Sequence, residues 1–139
     1  MGRKLFIFGL IFVLLVLAGC SSSSESQDIA KNCSSKGLKI LAEYYEKQAD
    51  KSLYIIRELY PDNIPEAYRQ SSALFDELFD YDYPDCASVA HTHMLNAVSK
   101  MAENFRLRME GKIVEADDML DEATQEMNKF SEEFDKLKK

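Results

Sequence analysis

After Gln27 the chain carries very few residues able to stop a helix: Gly37, Pro61, Pro65, Pro84 and Gly111 are its only glycines and prolines. Glycine adds backbone freedom, while proline fixes φ and removes a donor, so both punctuate regular structure. Here they fall between segments whose apolar residues recur at helical spacing. No stretch alternates polar and apolar residues with β-branched enrichment, the mark of a half-buried strand. The expected fold is all-α, with the breakers as helix boundaries.

The C-terminal segment is the most regular. Ile113, Ala116, Leu120, Ala123, Met127, Phe130, Phe134 and Leu137 recur at steps of three and four, which puts them on one stripe of a helix over residues 112–138 that packs in coiled-coil fashion. Glu115, Asp117 and Asp118 near its start and Lys136, Lys138 and Lys139 at its end suit the helix dipole. A helix over residues 86–110 precedes it, with Asp85 as N-cap and Ala90, Met94, Ala97, Val98, Met101 and Phe105 as its buried face. The single Gly111 leaves room only for a tight reversal, so the two helices form an antiparallel hairpin. The first helix runs from Asp28 or Ser35 to Leu59 or Tyr60, turning Leu38, Leu41, Tyr45, Ala49, Ile56 and Leu59 inward. Pro61 and Pro65 close it and open a short helix over residues 65–80, whose apolar positions are Ala67, Tyr68, Leu74, Phe75, Leu78 and Phe79. The sum is an up-and-down bundle of about four helices, one of them short.

The N-terminus reads differently. Arg3 and Lys4 are followed by an apolar run from Leu5 to Leu17, then Ala18, Gly19, Cys20 and a serine tract. Basic, apolar and small-residue regions in that order describe an export signal. Leu17-Ala18-Gly19-Cys20 in this setting resembles the lipobox of bacterial prolipoproteins, a likeness confined to residues 1–20. It implies that residues 1–19 are removed, that Cys20 carries the lipid and becomes the new N-terminus, and that more than one acyl chain holds the protein to a membrane. The competing reading is an uncleaved membrane anchor. Leu5 to Gly19 is fifteen residues, whereas a crossing helix needs about 20, and no stop-transfer pattern follows. The chain is therefore expected to be exported and lipid-anchored to the cell membrane or outer membrane, its domain facing the periplasm or the cell exterior. Residues 20–27 supply the lipidated cysteine and a polar, serine-rich tether. Residues 28–139 suit one helical domain.

With Cys20 given to the lipid, Cys33 and Cys86 remain, an even pair in an oxidising compartment. In an up-down-up order they sit at the starts of the first and third helices, at one end of the bundle. The path closes: at 1.5 Å per residue the first helix rises ~40 Å beyond Cys33, the short helix descends ~24 Å, and the following loop spans the rest at ~3.3 Å per residue. A disulfide between them is expected, two free thiols being the alternative.

Removing residues 1–19 takes the formal charge from −7 to −9, because the segment holds two basic and no acidic residues. Nucleic acid calls for a basic surface, so it is excluded as a partner. An acidic solvated surface is the ordinary meaning of such a charge, and a cationic partner the sharper one.

Two patterns carry candidate chemistry, and a third kind of signal is missing. His91 and His93, with Met94, Met101, Met109, Met119 and Met127, could hold a soft ion such as copper. Residues two apart on a helix, however, point about 200° apart, and methionine on an apolar stripe is an ordinary gap-filler. Asp76, Glu77, Asp80, Asp82 and Asp85 are interleaved with Phe79, Tyr81 and Tyr83. They lack the loop spacing and glycine of an EF-hand, and nothing sets two of them as a glycosidase pair. This stretch is either a solvated loop or a recognition surface in which Tyr81, Asp82 and Tyr83 meet a basic peptide or protein. Thirdly, no serine sits in a nucleophile elbow, and no cofactor motif is present. The expectation is a lipid-anchored binding or adaptor module for an envelope protein or small ligand, without catalysis; the alternative is a periplasmic metal-handling protein using His and Met ligands.

Overall fold

The computed structural model describes residues 33–138; the lipobox-like segment, Cys20 and the serine tract lie outside the described residues. Among the described residues four α-helices follow one another: α1 (Ser35–Tyr54), α2 (Ile64–Phe79), α3 (Ser88–Met109) and α4 (Ile113–Leu137). No strand occurs among the described residues. No helix there is long and apolar enough to cross a membrane.

Each boundary has a local cause. The Ser34 side chain accepts from the Gly37 amide at 3.1 Å and starts α1, and the Asn63 side chain does the same for Glu66 at the head of α2, each satisfying a donor the helix leaves orphaned. Gly111 adopts φ +76°, a conformation costly for any residue with a Cβ. Around it the Lys112 amide reaches the Leu107 carbonyl at 3.0 Å and the Gly111 amide the Arg108 carbonyl at 3.1 Å. This is the Schellman arrangement, and it reverses the chain between α3 and α4 as expected.

The bundle is all-α with one short member, the 16-residue α2. A disulfide joins Cys33 to Cys86, their Cα atoms 6.3 Å apart, and fixes the starts of α1 and α3 at one end. Helix α3 packs on both α2 and α4. Buried Asn104 ties the hairpin further, donating to the Ala116 carbonyl of α4 while its Oδ1 accepts from Arg108 at 3.2 Å. Ala90, Met94, Ala97, Val98, Met101 and Phe105 are all buried.

Three sequence expectations fail. Asp85 does not cap α3: the chain enters through a single 3-10 turn, Asp85–Ala87, begun at Pro84, and α3 starts only at Ser88 with no side-chain cap. Ile113 is 48% exposed, because it sits at the first residue of α4 beyond the reach of the hairpin core. In α1 the buried stripe is Leu41, Tyr45, Gln48, Ser52 and Ile55. Its spacing is regular, but polar Gln48 and Ser52 interrupt the apolar pattern, and Ile56, expected inward, is 38% exposed. A π-helical turn, Ile55–Leu59, follows, with the Tyr60 amide bonded to the Ile55 carbonyl at 3.1 Å.

Candidate binding site

The Tyr81–Asp82–Tyr83 loop is anchored inward. Tyr81 stacks on Tyr44 of α1 with ring centroids 3.6 Å apart, and Tyr83 stacks on His91 of α3 at 3.9 Å. Both tyrosines are half-buried and Asp82 is exposed. One face of each ring is thus covered within the fold, while Asp82 between them is exposed. Asp76, Glu77, Asp80 and Asp85 are exposed as well. Of these, Glu77 pairs with Lys51 and accepts from Gln48 at 3.0 Å, linking α2 to α1.

His91 is buried and its two ring nitrogens are both engaged. Nε2 lies 3.0 Å from the Leu78 carbonyl and Nδ1 2.9 Å from the Tyr45 hydroxyl. A carbonyl only accepts, so Nε2 carries the proton. Burial pushes this imidazole below its ordinary pKa, so Nδ1 is bare and Tyr45 donates to it. Burial likewise pushes the Tyr45 hydroxyl well above the usual phenol value, which keeps it a donor. His93 faces the other way: its Nδ1 is 2.7 Å from Glu126 of α4. That imidazole and the Lys129 ammonium hold the Glu126 carboxyl down to about 2. The two histidines therefore serve different interfaces, as their helical spacing requires. Among the described residues no group of three or more His, Cys, Asp or Glu is placed to hold a metal ion.

Tyr45 is the centre of this end of the bundle. Its ring meets Phe130 and Phe134 of α4 edge-on, at 5.0 and 5.3 Å. Through these rings α1 touches α4. Phe130 is half-buried, less covered than its place on the stripe suggests.

Farther along the same two helices a cleft of about 300 Å³ opens between α1, α3 and α4. Ala97, Val98, Met101 and Ala123 form its buried floor. Leu53 and Ile56, 43% and 38% exposed, wall it on the α1 side; Leu120 and Met127 wall it on the α4 side. Nothing in its lining is charged or aromatic. Other depressions differ: that between α1 and α2 includes Asp50, Lys51 and Glu77, that between α2 and α3 includes Asp76, Lys100 and Glu103, and that beside the Tyr45 cluster includes Glu46, Asp135 and Lys138. The sequence does not reveal the cleft, since its floor consists of residues that each read as ordinary core. The adjacent pair Ile55-Ile56 is the signal in the sequence, since two neighbouring isoleucines cannot both lie on one buried helical stripe.

No known protein family, curated protein or solved structure matches this chain.

Proposed function

We infer that the chain is an exported lipoprotein, held to a membrane by lipid on Cys20, whose helical bundle binds an apolar ligand or a partner's apolar group without transforming it. The anchor rests on the order of charge, apolar run, small residues and cysteine in residues 1–20. Binding rests on one observation above others: an uncharged cleft whose walls leave Leu53 and Ile56 exposed to water. Concave apolar sites with a few polar groups at the rim are the usual form of small-molecule sites. The net charge supports a partner other than nucleic acid. Tyr81, Asp82 and Tyr83 remain a proposed contact for an envelope protein, through edges and polar atoms.

Metabolic labelling with a fatty acid tests the anchor: label should enter the native protein and be lost in Cys20→Ser, and label that persists there refutes it. Xenon tests the cleft, because it enters apolar space without regard to shape or charge. Xenon should shift the methyl resonances of Met101 and Met127 and leave that of Met109 in place.

A further inference from the structure

We propose that the cleft between α1, α3 and α4 takes a single unbranched acyl chain, presented as a free fatty acid whose carboxylate stays at the mouth. The inference deepens the binding role proposed above and is independent of the Cys20 anchor.

Three features select this ligand. The lining is aliphatic: Ala97, Val98, Met101, Leu120, Ala123 and Met127 supply methyls and two thioethers, and no aromatic ring is among its residues. A flat aromatic ligand would find no face to stack on, whereas a flexible chain matches adaptable Met and Leu walls. Size comes next, because about 300 Å³ is the lower bound of the roughly 300–1,000 Å³ common for small-molecule sites, which suits one chain and excludes a two-chain lipid. The third feature is charge. With no ionised group in the lining, a buried carboxylate would go uncompensated, so the head must remain in water, where the exposed Asn128 amide at the rim can donate to it. The irregular backbone agrees: the π turn beginning at Ile55 adjoins the wall, and such turns recur at functional positions in helices.

The test uses the full exported chain in lipid nanodiscs, with methionine methyls labelled for NMR and dodecanoate as the probe. Dodecanoate should shift the Met101 and Met127 methyls in a saturable way and leave Met109, exposed at the far end of α3, unmoved. Leu53→Asp places a charge in the wall at a partly exposed position and should weaken half-saturation at least tenfold with little change in melting. Ala123→Leu, which fills the floor, should do the same and serves if the first variant folds poorly. Equal shifts at all methionines, no shift, or undiminished binding by both variants would overturn the proposal. So would shifts that follow protein concentration, which would give the cleft to a second copy, or displacement by a Leu- and Met-rich peptide alone. Xenon entering where dodecanoate does not would sink the acyl chain and leave the apolar binding role standing.

Discussion

Helices α1 and α4 meet twice, with opposite results. Toward the disulfide end, Tyr45 reaches across to Phe130 and Phe134 and three rings bridge the gap, leaving beside them the depression that includes Glu46, Asp135 and Lys138. Farther along, Ala49, Ala97 and Ala123 lie between walls of Leu53, Ile56, Leu120 and Met127, no ring crosses, and the gap stays open as the cleft. Side-chain volume accounts for the difference: interiors reach close packing only where the facing groups are large enough to fill the space between helices. One end of the interface is therefore bridged by rings, and the other is left open to solvent.

The contrast is sharpest at Tyr45. Tyr45→Ala removes a ring that is 2% exposed and strands the His91 Nδ1, so it should lower stability by about 3–5 kcal/mol, measured by denaturant unfolding. A loss below about 1 kcal/mol would show that the disulfide end is no better packed than the cleft. Along α1, Ile55→Ala should cost about 2–5 kcal/mol, as for a buried isoleucine, while Ile56→Ala on the cleft wall should cost well under half as much. Equal losses would place the wall in the core. Cys33→Ser opens a bridge spanning 53 positions and should lower stability by about 2–4 kcal/mol, because the unfolded chain regains the entropy of that loop; a melt unchanged by reductant argues against the staple. Tyr83→Ala gives up its stack on His91, about 0.5–1.5 kcal/mol beyond the area it covers. A loss as large as that of Tyr45→Ala would leave the loop no role beyond the core.

The mildest effect is one of pH. His91 titrates below its ordinary value when folded, so the unfolded chain binds the proton more readily and stability falls as the pH drops below about 6.5. Above that value its contribution is complete. Unfolding midpoints of the native protein and His91→Gln, followed from pH 7.5 to 5, should diverge in slope, with the variant flatter; parallel curves would refute a neutral buried imidazole at this position.

How far the sequence carried differs from residue to residue. Residues 113–137 announce their helix because apolar groups recur every three or four positions without interruption. In α1 that rule faltered at Gln48 and Ser52: both are buried, Gln48 through its bond to Glu77 and Ser52 through its bond to the Gln48 carbonyl. A polar residue's burial depends on its partner, and the Glu77 partner comes from another helix. His91 follows the same logic. Its spacing from His93 already separated the two rings, but only Tyr45 and Leu78 show that both of its nitrogens are taken within the fold.

The sequence by itself determined the all-α class, the helix order and the reversal at Gly111, because these depend on local backbone preference and periodicity, and it made Cys33 with Cys86 the expected pair, a bridge the structure shows. The tertiary structure alone decided which polar groups are buried, how the Tyr81 and Tyr83 rings turn inward, and where the cleft lies. Most of these are set by groups distant in sequence that meet only in the folded chain, Glu77 for Gln48, Tyr44 and His91 for the two rings, and three helices for the cleft, and no spacing within a single helix encodes the size of the groups that will face it.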